Sequence, residues 1–86
     1  MSDFMKQFRE DRKQALAKAV LDDDWGAVRK YCKKYSVEIP KEERIFKAGI
    51  YKAAFNCLDS DPQVIATAYE KCLKLGFSPL LKPRGN

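Results

Sequence analysis

The chain contains no histidine, and among its 86 residues there are only three cysteines, four glycines, four prolines and one tryptophan. Without histidine the commonest zinc ligand is missing, as is the side chain whose ordinary pKa suits proton transfer near neutrality. Cys32, Cys57 and Cys72 are odd in number, widely spaced and lack a CxxC pair. A structural zinc site is therefore excluded, a disulfide framework would leave one thiol over, and the sulfurs read as free in a reducing compartment. The apolar runs are a few residues long, far below the roughly 18–20 needed for a membrane span. Met1-Ser2-Asp3-Phe4-Met5-Lys6 has no apolar signal-peptide core, so a cytoplasmic protein without membrane contact is expected. Glycine-rich phosphate loops and calcium-loop spacings are absent as well. No cofactor, no metal and no enzyme activity are expected.

What remains is 45% apolar and 34% charged, a balance that belongs to a folded, well-solvated domain. A single domain spanning 1–86 is expected, with an irregular tail over 77–86. A chain of this size buries only roughly 60–65% of its unfolded surface, so few core positions can be spared for chemistry and function falls to the surface. The net charge of +5 is uneven. Residues 1–24 hold five basic and six acidic side chains, 25–58 hold eight and three, and 59–86 hold four and three, so the excess sits in the middle of the chain.

Four segments carry helical periodicity. Phe4, Phe8, Ala15, Leu16, Ala19 and Val20 recur at helical spacing over Asp3–Leu21, with an interruption at Asp11-Arg12 that marks the first half as the weaker. Asp22-Asp23-Asp24 ends that pattern and supplies an N-cap for a second helix, Trp25–Tyr35. There Trp25, Val28, Cys32 and Tyr35 line one face and Arg29, Lys30, Lys33 and Lys34 another. Pro40 with Glu42 and Glu43 predicts the start of a third helix running to about Leu58. Its apolar stripe is Phe46, Ile50, Ala53, Ala54, Cys57 and Leu58, with Ala48 and Gly49 adding small residues for close packing. Asp61-Pro62 is a cap followed by proline, and Gly76 is a left-handed terminator, bounding a fourth helix over Pro62–Leu75. Its buried face reads as Val64, Ile65, Ala68, Tyr69, Cys72 and Leu75.

Short connections place successive helices antiparallel, which predicts an all-α fold: a compact up-and-down bundle of three to four short helices, with two stacked helical hairpins as the alternative. The endings Tyr31–Pro40 and Lys71–Pro79 share a cysteine, a helix stop, a hydrophobe and a proline at an offset of about 40 residues. This is a faint repeat, read as two endings converging on one stop chemistry, since a solenoid normally needs three or more copies.

The run Asp23–Tyr35, with its Tyr31-Cys32-Lys33-Lys34-Tyr35 segment, and the run Ile39–Ala53, with Phe46-Lys47-Ala48-Gly49, resemble small helical proteins of Firmicutes phages and conjugative elements. The likeness covers the middle of the chain. It implies a bacterial accessory protein of a mobile element, and since that group has no assigned activity it carries over no catalytic residue.

Two surfaces are candidates for function. Arg29, Lys30, Lys33 and Lys34, joined by Lys41, Arg44 and Lys47, could meet phosphates or an acidic partner, the plain alternative being a solvated helix face. Trp25, Tyr31, Tyr35 and Tyr51 could form an aromatic hot spot for a protein partner, the plain alternative being core filling. The thiols fall on apolar stripes with no histidine to serve as base, so packing accounts for them. The expected function is a non-catalytic module that binds a protein partner or itself, with a nucleic-acid-binding accessory as the alternative.

Overall fold

The computed structural model describes residues 3–57 and 60–78, and among these all regular structure is helical: α1 (Asp3–Asp22), α2 (Trp25–Lys34), α3 (Glu43–Phe55) and α4 (Pro62–Lys74). The result is the small helical bundle that the periodicity predicts. No helix among the described residues is long and apolar enough to cross a membrane.

Local chemistry fixes most of the boundaries. Asp23 adopts a left-handed φ of 54° after α1, a conformation aspartate tolerates better than most residues. Asp24 then caps α2, its side-chain oxygen accepting from the Ala27 amide at 3.2 Å. Gly76 ends α4 at φ 92°, donating to the Leu73 carbonyl at 2.9 Å while the Phe77 amide donates to Cys72 at 3.2 Å. That pair of bonds is a Schellman ending.

Several expectations about boundaries and buried faces are corrected. Helix α3 begins at Glu43 rather than at Pro40, because Ile39 is drawn against the core and holds residues 37–42 in an extended and bent connection. It ends at Phe55, and Leu58 lies outside the described residues. Asp61 stands at the N-cap of α4 but makes no side-chain capping bond, so the proline at the first turn carries the start signal. The buried positions of α3 are Phe46, Ala48, Tyr51 and Ala54, a wider arc than the predicted stripe, because the helix packs against both α1 and α4. Gly49 faces open space and serves no close approach, while Tyr69 of α4 lies at the surface margin against Phe55, ring centroids 5.4 Å apart.

The helices pair as two antiparallel hairpins. The start of α1 meets the end of α2 through Phe8 and Tyr35, and the start of α3 meets the end of α4 through Arg44 and Leu75. Helix α1 packs against all three others. Its second half contributes Ala15, Leu16, Ala19 and Val20, all buried. Leu16 and Val20 join Tyr51, Ala54, Ala68 and Cys72 in one core cluster, whereas Ala15 and Ala19 join Val28, Cys32 and Phe46 in another. Trp25 bridges the two, its ring 5.8 Å from Phe46 and 5.6 Å from Tyr51. Fully burying Val20, Val28 and Val64 contributes roughly 1.5–3 kcal/mol each. The Lys71 ammonium locks the hairpins together at the end of α1, donating to the Val20 carbonyl at 2.6 Å and pairing with Asp23 at 3.3 Å.

Candidate functional site

The first half of α1 contributes nothing to the core and instead carries an aromatic cluster. Phe4 and Phe8, one turn apart, stack at 6.5 Å; Phe8 meets Tyr35 edge-on at 4.9 Å and Tyr31 at 5.9 Å; and Tyr31 lies 5.1 Å from Tyr35. Phe4 closes the cluster at 6.1 Å from Tyr35, yet it remains 62% exposed, and neighbouring Met5 is 42% exposed. An apolar patch of this kind has a favourable use when another surface covers it.

Beside these rings lies a carboxylate with three donors. Asp11 accepts from the Tyr35 hydroxyl at 2.6 Å, the Lys34 ammonium at 2.8 Å and the Gln7 amide at 2.8 Å. The bond from Lys34 lowers the Asp11 pKa most, followed by those from Tyr35 and Gln7, taking it from the usual 3.8 to about 2. The same contact raises both Lys34 and Tyr35. Asp11 therefore stays ionised near neutrality and holds no proton to give, which makes the network an orienting clamp between α1 and α2.

Along the seam of these two helices runs a groove in two parts that share Lys34. One part, of about 220 Å³, has Ala15, Ala27 and Tyr31 at its base and Gln14, Lys18 and Lys30 around it. The other, of about 570 Å³, opens beside Phe4, Gln7 and Tyr35. Burial pushes the Tyr31 hydroxyl pKa up, the charge of Arg12 acting in the opposite direction.

The four basic residues expected on one face of α2 and the three expected near it, Lys41, Arg44 and Lys47, do not act alike. Arg29 lies over the Phe46 ring at 5.2 Å and approaches Glu43 at 3.9 Å. Lys34 is held by Asp11. Lys47 pairs with Glu43 at 3.5 Å and sits over Trp25 at 5.4 Å. Arg44 is a helix cap: its Nε and Nη2 donate to the Leu75 carbonyl at 3.1 and 2.7 Å, and its guanidinium covers Phe77 at 4.7 Å. Of these seven, Lys30, Lys33 and Lys41 are exposed and show no ion pair or hydrogen bond among the described residues.

The four aromatic candidates divide similarly. Tyr31 and Tyr35 belong to the cluster on α1, whereas Tyr51 is 6% exposed and Trp25 is half-buried in the seam between hairpins, so the latter pair fills the interior. The structure adds Phe4, Phe8, Gln7, Asp11 and Lys18 to the site. The sequence held one signal for them: the apolar stripe of α1 breaks at Asp11-Arg12, which separates Phe4 and Phe8 from the core positions. The three thiols are free and buried, and no group of three or more potential metal ligands occurs among the described residues. No protein-family profile, curated protein or solved structure matches the chain.

Proposed function

We propose that the chain is a non-catalytic interaction module that takes a protein partner on the aromatic end of the α1/α2 hairpin. The observation that carries this reading is Phe4, which is built into a four-ring cluster and still leaves most of its surface in water. Covering Phe4 and Met5 would gain on the order of 2 kcal/mol each, and aromatic side chains dominate binding energy where a partner encloses them. The buried free thiols suit a reducing, cytosolic setting. An accessory protein of a bacterial mobile element, as the sequence resemblance implies, is a natural owner of such a module.

Selection of peptides from a random display library on the immobilised protein tests the reading. Enrichment of apolar peptides whose binding is lost with Phe4→Ser and Met5→Ser, at unchanged helicity, is the expected result. Enrichment indifferent to both substitutions, or none at all, would overturn it. Sedimentation velocity across a concentration series distinguishes a separate partner from a second copy of the chain.

A nucleic-acid reading has one observation in its favour, the exposed and unpaired Lys30, Lys33 and Lys41. Stacking of bases, however, needs open ring faces, and the rings of Tyr31 and Tyr35 are packed on each other and on Phe8. Titration with mixed-sequence DNA and RNA at two salt concentrations separates the readings, because phosphate contacts weaken steeply with salt.

A further inference from the structure

The α1/α2 groove runs from the aromatic end toward Lys18, and its character changes along the way. Beside Phe4 and Tyr35 it is wide and ring-lined. Past the Asp11–Lys34 pair it narrows onto Ala15 and Ala27, small side chains that let another backbone come near, with Lys18 and Lys30 both exposed on the rim. The carboxylate in this narrow part, Asp11, is already engaged by Lys34, Tyr35 and Gln7, so it does not neutralise Lys18 or Lys30. From Asp3 to Lys18 the groove follows α1 for about 22 Å at 1.5 Å per residue, the length of roughly four turns of an added helix.

Resting on the reading that the aromatic end takes a protein partner, we infer that the partner segment is an acidic amphipathic helix laid along this groove. Its apolar side chains cover Phe4 and rest on Tyr31, and its carboxylates at successive turns face Lys30 and Lys18. Two antiparallel helices presenting a seam with small residues below and like charges along the rim accept a third helix of opposite charge, with apolar anchors giving affinity and the lysines giving orientation and faster encounter. Phosphodiester chains share the negative charge but not the apolar stripe that the floor requires.

Two synthetic helical peptides of about 16 residues, matched to the groove length, test this. Both carry leucines at i, i+3, i+4 and i+7, one with glutamates and the other with lysines at the remaining positions, and anisotropy of a fluorescent label reports binding to the full chain. The glutamate peptide is expected to bind about tenfold or more tighter than the lysine peptide, a difference of about 1.4 kcal/mol. Lys18→Glu with Lys30→Glu should reverse that preference while circular dichroism and melting stay unchanged, and Phe4→Ser should weaken both peptides. If both peptides bind equally and both depend on Phe4, the acidic-helix inference is overturned and the interaction module stands. Failure of both peptides, with the display selection still yielding binders that depend on Phe4, overturns the inference alone; failure of both experiments overturns the module too. Preference for a labelled single-stranded DNA over the glutamate peptide would transfer the lysines to the nucleic-acid reading.

Discussion

Cys32 and Cys72 hold the same place in two copies of one helix ending. The carbonyl of Cys32 accepts from Val37 at 2.8 Å and that of Cys72 from Phe77 at 3.2 Å, each bond closing over a residue in the left-handed region, Ser36 at φ 56° and Gly76 at φ 92°. The inner bonds also match, Ser36 to Lys33 and Gly76 to Leu73. Each ending is met by the start of the preceding helix, Phe4 against Tyr35 in the first hairpin and Arg44 on Leu75 in the second. Residues 4 and 44 thus repeat the 40-residue offset of the cysteines, although one contact is apolar and the other polar.

The two endings differ in the strain they hold. A left-handed non-glycine residue costs roughly 1–2 kcal/mol, so Ser36→Gly is expected to stabilise the protein by up to about 1 kcal/mol after the added entropy of the unfolded chain is subtracted. Gly76→Ala acts in the other direction, costing about 1 kcal/mol, and its new Cβ would meet the Arg44 Nη2 at 3.0 Å. Urea unfolding followed by Trp25 fluorescence measures both.

Arg44→Ala removes two hydrogen bonds from the Leu75 carbonyl and the cation above Phe77. A loss of about 1 kcal/mol is expected from this exposed site. Arg44→Lys should recover little of it, because an ammonium cannot reproduce the forked geometry of the guanidinium. The melting temperatures of the three proteins provide the comparison.

The Asp11 clamp predicts a pH dependence. Its pKa in the folded protein, about 2, lies below the usual 3.8, so its contribution to stability is complete above 3.8 and is lost as pH falls from there through about 2. At the alkaline end Tyr35 is raised, so the bond its phenol donates is intact below the ordinary value of 10.0 and is lost as pH rises through the higher folded value. Asp11→Asn should flatten the acid limb of a stability–pH curve relative to the parent protein, and Tyr35→Phe the alkaline limb.

The cysteines supply a probe of opening. Cys32, Cys57 and Cys72 are 3%, 8% and 0% exposed, and burial raises the thiol pKa of Cys32 and Cys72. Reaction with an aromatic disulfide reagent should therefore be slow in native buffer for all three and rapid in denaturant. A thiol that reacts quickly in the native state would mean that its helix opens locally.

Three to four helices, an aspartate cap before α2, the Gly76 ending and the core half of α1 were legible in the sequence because each rests on local chemistry: a carboxylate before free amides, a glycine in the left-handed region, alanine and leucine at helical spacing. The start of α3 was not legible, since Ile39 reaches a core whose position depends on helices distant in sequence. The cap at Asp61 failed for a related reason, as composition shows a side chain able to cap but not where its carboxylate points. Asp61→Ala is accordingly expected to change stability by no more than about 0.5 kcal/mol. In the candidate site, Tyr31 and Tyr35 were legible, and the break at Asp11-Arg12 set Phe4 and Phe8 apart as the weaker half of α1, but their spacing alone does not show that they pack on Tyr31 and Tyr35 of another helix. The tasks of Arg44 and Lys47 depend on partners 31 and 22 positions away, Leu75 and Trp25, which no window on one helix contains.

The central position of α1 bears on cooperativity. Among the described residues it is the one helix whose backbone lies close to all three others, and α2 makes backbone contact with α1 alone. Amide exchange should therefore be graded along this single helix. The turn around Phe4 opens at little cost, whereas the turns from Ala15 to Val20 exchange only when the whole chain unfolds. A partner that docks on the outer turns would raise the protection of the least protected amides first, leaving the slowest ones as a gauge of the global equilibrium.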